Sequence, residues 1–481
     1  MVRVVRSLGR RVVHGIAAAP PWAVLAAGWA FLIVYAFPGV MTLDSFDHLD
    51  EARRGVYTDA HPPAINLLWR VVDYVIAGPF GMLVIQSGCF LVGLYAVLRR
   101  ALGPRGAAWA TTLVYVVPPV MGPFAVIWKD PLMAGFLMLG AAALLSARRG
   151  VRIAGLAAMA AATALRYNAF AATLPLVVLL FEWRPGLPRL RRYAISTAAW
   201  LAVTLGAQRF NAAIVDHELH LWTVLAVFDI AGTLARTDGE LTDAELEARF
   251  AGTDLLVHKD IHATIRELYK ADNLLPIINH ATKALWGLPI NGTVGPPAAQ
   301  REAIARVWRD TITTWPGAYL AHRLAVMREA IGLGKTRASG AIPNRDFLSP
   351  ERVHQDGLGT GWSKLQHTLT RLNRQCLRST PLYSVWMYLV IALALLPLAL
   401  RHPDLRALLL SGLGLEASLL VLAASADYRY SHWLVICTIV IAVALGARRY
   451  RGRGQPAPSP EPGERDERFL PRRAPSDYKR P

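Results

Sequence analysis

Residues Thr42–Pro63 read TLDSFDHLDEARRGVYTDAHPP, and the rest of the chain is read outward from them. Strongly apolar segments flank the stretch, about Pro20–Phe37 before it and Phe80–Leu98 after it. Between them it holds Asp44, Asp47, Asp50, Glu51, Asp59 and His61. A linker between membrane spans needs only a few polar residues to turn around. This one is long and acidic, and it starts a few residues past an apolar run. Carboxylates clustered at a membrane face mark a candidate site; a solvated loop is the competing reading. Pro62 and Pro63 then open a helix with Ile65, Leu68, Val72 and Val75 on one face and Asn66, Arg70 and Asp73 on the other. That is the amphipathic pattern. With two charges and few apolar residues, the helix is assigned to the membrane interface rather than to a crossing.

The chain has 481 residues, 54% of them hydrophobic, and its apolar runs approach the roughly 20 residues that a bilayer demands. Further runs fall near Ala107–Ile127, Leu132–Ala147, Ile153–Leu165, Ala169–Phe181, Tyr193–Gln208, Tyr383–Leu400, Leu405–Ala424 and Ser431–Ala447, ten in all. The expected fold is therefore an all-α polytopic membrane protein of about ten transmembrane helices. It has an interfacial helix in the first outer loop and a large, mostly helical extracytoplasmic segment. The divisions are 1–210, a transmembrane part with the first outer loop at 41–63; 211–380, the outer segment; 381–450, the last spans; and 451–481, a Pro-, Arg- and Glu-rich tail read as disordered. Leu219–Ala235 is nearly apolar enough to span, but Asp229 interrupts it, and it is read as a membrane-surface or buried helix of the outer segment. Cys89, Cys376 and Cys437 imply no disulfide framework. The first apolar segment lacks a small-residue cleavage site and is read as a retained span.

Charge orients these spans. The net charge of +18 suits nucleic acid in the abstract, but its placement argues for a membrane, and no nucleic-acid partner is expected. Arg3, Arg6, Arg10 and Arg11 precede the first span. Arg99, Arg100 and Arg105, then Arg148, Arg149 and Arg152, then Arg184, Arg189, Arg191 and Arg192 fill alternate connections, as do Arg401 and Arg406, and Arg448 to Arg453. The positive-inside rule places these in the cytoplasm with both termini, and the acidic loop outside. The implied location is a bacterial plasma (inner) membrane.

Two motif matches are set aside. Gly332-Leu333-Gly334-Lys335-Thr336 resembles a phosphate loop, but Glu329 occupies the position of its first glycine. Asn291-Gly292-Thr293 is a glycosylation sequon too common to carry an argument. No His or Cys pair has zinc spacing, and no cofactor is expected. What remains are polar groups at the outer ends of spans: Trp128-Lys129-Asp130, Leu165-Arg166-Tyr167-Asn168 and Asp427-Tyr428-Arg429-Tyr430. Snorkelling anchors with aromatic belts account for any one of them. They account less well for a Lys and two Arg, each at a span terminus on the same face as Asp44 and His61. Such cations suit a lipid phosphate, and carboxylates beside them suit activation of a hydroxyl.

An Asp-bearing first outer loop, His61-Pro62-Pro63 and an interfacial helix before the second span resemble the GT-C membrane glycosyltransferases, which include protein O-mannosyltransferases and the lipid A aminoarabinose transferase. The three outer-face motifs are similar to those of that group. The likeness covers about Pro20–Asn211 and Tyr383–Ala447, and matches the outer segment only loosely. It implies inverting transfer of a sugar from a polyprenyl-phosphate carrier to a hydroxyl acceptor on the outer face. Asp44 would be the catalytic base, with Lys129, Arg166 and Arg429 on the phosphate. Asp130 and His61 would position sugar or acceptor, with Asp47, Asn168 and Tyr430 also at the substrate. Family members carry Asp-Glu or Asp-x-Asp where this chain has Asp44-Ser45 and then Asp47, which leaves a divalent cation open. A polysaccharide polymerase or ligase using the same donors is the nearest alternative. A flippase of lipid-linked sugars would need charged or broken helices near mid-bilayer, whereas these spans read as nearly free of charge.

Overall fold

The computed structural model describes residues 19–237, 241–253, 261–279, 295–334, 342 and 363–452. The N-terminal arginines, the sequon, Lys335, Thr336, most of the tail and parts of the outer segment lie outside the described residues. Among the described residues the elements are helices, in chain order α1 (Pro21–Ala36), α2 (Leu43–Arg54), α3 (Ala64–Val75), α4 (Phe80–Arg99), α5 (Pro104–Val116) and α6 (Pro118–Phe124). There follow α7 (Lys129–Leu144), α8 (Arg149–Leu165), α9 (Phe170–Leu180) and α10 (Arg189–Ile214). The outer segment contributes α11 (Trp222–Leu234), α12 (Asp243–Arg249), α13 (Ile261–Leu268), α14 (Leu275–Asn279), α15 (Ala298–Thr314), α16 (Pro316–Ala330) and α17 (Lys364–Ser379). The chain closes with α18 (Val385–Ala399), α19 (Pro403–Leu422) and α20 (His432–Gly452).

By length and composition, Phe80–Arg99, Pro403–Leu422 and Tyr428–Tyr450 are long and apolar enough to cross a membrane. These are the helices of a membrane protein. Pro21–Ala36, Tyr167–Leu180, Trp222–Leu234 and Val385–Ala399 are apolar but shorter. The run expected as one span over Ala107–Ile127 is not a straight helix: α5 and α6 meet at 71°. Pro118 lacks the N–H an unbroken helix needs, and it drives the preceding Val117 out of the helical region, to φ −61°, ψ 128°.

Packing follows small residues. Helix α4 lies along α7, and α7 along α8. A Cβ added at Gly93 of α4 would stand 2.5 Å from the Met138 and Leu139 backbone, and one at Gly135 of α7 would stand 2.7 Å from the Gln86 carbonyl. The bare glycines let the two backbones approach. A continuous core runs from Leu32 to Leu445, and a second joins the outer segment to Leu419 and Ala423 of the α19 end. Helix α11 is buried against α15 and α16, the buried option among the sequence readings for this segment.

Three details depart from the sequence reading. The acidic stretch is helical over Leu43–Arg54, because Phe46, Leu49 and Ala52 bury one face and Gly55, at φ 70°, closes the end. On α3, Asn66 is buried, not on an outward polar face, while Val71, Tyr74 and Val75 are exposed. The Leu405–Ala424 run, one of the spans read as nearly free of charge, carries buried Glu416, whose carboxylate accepts a 3.0 Å bond from Ser431.

Candidate functional site

The site begins with a strap that fixes the start of α2. Val40 N donates to Ala125 O at 2.9 Å and Ile127 N returns a bond to Val40 O at 3.0 Å. Ser45 Oγ donates to Ile127 O at 2.7 Å, and Trp128 Nε1 to Thr42 Oγ1 at 2.7 Å. Thr42 N donates to Ser45 Oγ at 3.1 Å, so one serine both caps the helix and ties it to the strap. Asp44, in the first turn of α2, is thereby held beside the start of α7. A carboxylate there also meets the positive end of the helix dipole.

Three loops bring charge to it. Arg429, between α19 and α20, reaches Asp44 Oδ2 at 2.7 Å, Asp427 Oδ2 at 2.9 Å and Asp130 Oδ2 at 3.9 Å. Its guanidinium lies 4.7 Å from the Trp128 ring and 5.5 Å from that of Tyr430. Arg166, just past α8, ion-pairs with Asp130, donates from Nε to Asn168 Oδ1 at 2.7 Å and stacks 4.7 Å over Tyr430. Asn168 in turn donates to Ser418 Oγ of α19 at 3.0 Å. Lys129 Nζ contacts His61 Nδ1 at 2.8 Å. Asp44, His61, Lys129, Asp130, Arg166, Asn168, Arg429 and Tyr430 thus form one connected group. Asp47 is one turn further along α2 and half-buried. Asp50 pairs with Arg54 at the surface, and the Asp59 carboxylate accepts from Leu219 N and, at 3.0 Å, from His220 N, clamping the loop rather than facing the group.

Comparison with family models, with curated proteins and with solved structures finds no match for this chain. The chemistry is therefore read from the geometry.

Exposure sorts the acids. The Asp130 side chain is 1% exposed and sealed between two arginines, whereas that of Asp44 is 30% exposed. Asp44 is the one of these two that an incoming molecule reaches. Burial works against its charged form, but the charges of Arg429 and Lys129 outweigh it and hold its pKa below the ordinary carboxylate range. Asp427 is raised, since its burial outweighs the pull of Arg429.

A second layer escaped the sequence reading. His48, one turn beyond Asp44 on α2, lies beside His61, with ring centroids 4.7 Å apart and the rings tilted by 50°. Its Nδ1 is 2.7 Å from Asn66 Oδ1; Asn66 Nδ2 donates to Glu51 Oε2 at 2.6 Å, and Thr58 Oγ1 donates to Glu51 Oε1 at 2.8 Å. Because the Asn66 amide gives its N–H to Glu51, its oxygen faces His48, which assigns the His48 proton to Nδ1. Lys129 Nζ and His61 Nδ1 share one hydrogen bond, and burial pushes the Lys129 pKa down to about 7. Burial pushes the His48 pKa down to about 3 and that of His61 well below its usual value, with the Lys129 charge adding to both. Both imidazoles are neutral at physiological pH. The signal that would have found His48 was helical: residues 44 and 48 share a face once the stretch is read as a helix. Among the described residues no three of His, Cys, Asp and Glu converge as metal ligands.

Proposed function

We propose that this chain is a membrane glycosyltransferase that moves a sugar from a polyprenyl-phosphate carrier to a hydroxyl acceptor on the outer face, with inversion. The observation that carries the reading is the junction of a reachable carboxylate, Asp44, with Arg429 and neighbouring Lys129 at the ends of an apolar helical bundle. Ten spans, cytoplasmic termini and an outer site belong to the same proposal, resting on the arginine asymmetry.

In this mechanism Arg429 and Lys129 bind the donor phosphate, Arg429 through a two-pronged contact. Arg166 holds Asp130 and Tyr430 in place around them. The acceptor oxygen attacks the anomeric carbon opposite the phosphate, and the carbon–oxygen bond to the phosphate breaks with its electron pair on the phosphate. Asp44 takes the hydroxyl proton. Polyprenyl phosphate leaves without needing a proton, its growing charge met by the two cations. A phosphate at Arg429 also cancels part of the positive charge that depresses Asp44. The base gains proton affinity as the donor binds.

The test is release of sugar-free polyprenyl phosphate from synthetic donors by the purified protein. Release from one sugar of a panel supports the reading, and no release from any of them, with or without acceptor hydroxyls, removes it.

A further inference from the structure

The loop that carries Arg429 is gripped from outside the bundle. Helix α19 ends at Leu422, and the carbonyl of Ala423 after it is one that a helix terminus leaves without an intrahelical partner. Arg323 of α16, 2% exposed, donates from Nη1 to that carbonyl at 2.7 Å and ion-pairs through Nη2 with Asp229 of α11. Asp229, fully buried, also accepts from Trp308 Nε1 at 3.0 Å and lies 3.1 Å from His322 Nε2. Three residues on, Ala426 N donates to Asp272 O at 2.8 Å, and Ser425 forms an antiparallel bridge with Asn273. Ser425 Oγ lies 3.3 Å from the Tyr430 hydroxyl. The grip falls on Ala423, Ser425 and Ala426, just before Asp427-Tyr428-Arg429-Tyr430, and Ser425 reaches on to Tyr430 itself.

We propose that Arg323, neutralised by Asp229, is a positioning residue. From the outer segment it fixes the start of the Asp427–Tyr430 loop and so the place of the Arg429 guanidinium. A helix end can be capped by water, and a buried guanidinium is an expensive substitute unless its direction matters. Here it supplies a charged donor at the negative end of the α19 dipole while held by a buried carboxylate, which fixes the carbonyl's direction. The outer segment then serves as the template for the phosphate site. This inference rests on the reading of Arg429 as a phosphate ligand.

The test uses the full chain with Ala426→Cys, a buried position, and follows labelling by an impermeant maleimide, resolved peptide by peptide. The variant is Asp229→Asn with Arg323→Met, which removes both buried charges together and leaves neither uncompensated. Arg323→Lys is the conservative partner, and Arg306→Ala, at an exposed site on α15, is the control. Binding of a synthetic polyprenyl phosphate without sugar is measured on the same preparations. The double variant should label at least about tenfold faster and bind about tenfold more weakly, the loss of one charge-assisted contact. The Lys variant should recover part of both, and the control neither. Unchanged labelling in the double variant overturns the proposal. So does weaker binding in Arg429→Ala with unchanged binding in the double variant. If Arg429→Ala also leaves binding unchanged, the phosphate reading fails, and the labelling rate alone decides whether Arg323 positions the loop.

Discussion

At the scale of residues, the cluster couples charges that the chain brings from four separate segments. Arg429 is held by Asp44 and Asp427 together, so its replacement strips two carboxylates of a shared partner as well as the donor phosphate of a ligand, and donor binding is compared on folded protein. Arg429→Ala should weaken donor affinity by about ten- to a hundredfold, and Arg429→Lys should stay impaired, because one ammonium cannot reproduce a guanidinium fork. Equilibrium binding of a polyprenyl-phosphate sugar checks both. His48 gives a pH prediction. Its pKa falls from 6.5 in the unfolded chain to about 3 in the fold, so between those values the unfolded state binds more protons. The stability that neutral His48 contributes is full above about pH 6.5 and is lost as pH falls toward 3. The unfolding midpoint of the parent should drop over that window, and that of His48→Gln should drop less. Parallel curves for the two would rule His48 out as the source.

The charged residues of this site were legible in the sequence, because Lys129, Arg166 and Arg429 each stand at the end of an apolar run. Their mutual pairing was not. Nothing local to Asp130 indicates that Arg166 closes over it, and Asn66 reads as outward until α2 is known to lie against α3 with His48 between them.

At the scale of elements, most helices could be read from apolar runs, whereas α2 and the α5–α6 break could not. Helix α2 is short and acidic, and its apolar face rests on Phe46, Leu49 and Ala52 alone. Its signals were the Thr42–Ser45 cap and Gly55. The break at Pro118 was obscured because apolar residues continue through it. Helix contacts make a sharper prediction. Gly93→Ala places a methyl 2.5 Å from the α7 backbone, where no side chain can move aside, while a Cβ at Gly88 of the same helix meets nothing within 4 Å. Gly93→Ala should destabilise by about 1 to 3 kcal/mol. Gly88→Ala should be neutral or stabilising by up to about 1 kcal/mol. Thermal unfolding in detergent compares them, and equal midpoints would show that α4 and α7 do not pack this closely.

At the scale of the whole molecule, the proposal needs the outer segment and the acidic helix on one side of the membrane and the arginine-rich connections on the other. Impermeant thiol labelling of intact cells should modify Asp310→Cys, exposed on α15, and spare Arg105→Cys, exposed in the first turn of α5. The reverse pattern would move the site to the cytoplasmic face.

The central claim is that Asp44 removes the acceptor's proton while Arg429 and Lys129 hold the donor phosphate. Asp44→Asn keeps the size of the side chain and cannot take a proton. The deciding measurement is the initial transfer rate at saturating donor for the parent and Asp44→Asn, with donor affinity measured on the same preparations. General-base catalysis supplies about 10² to 10⁴ in rate, so turnover should fall by that order while the fold persists and donor binding is retained. An Asp44→Asn protein that transfers at the parental rate would contradict the account.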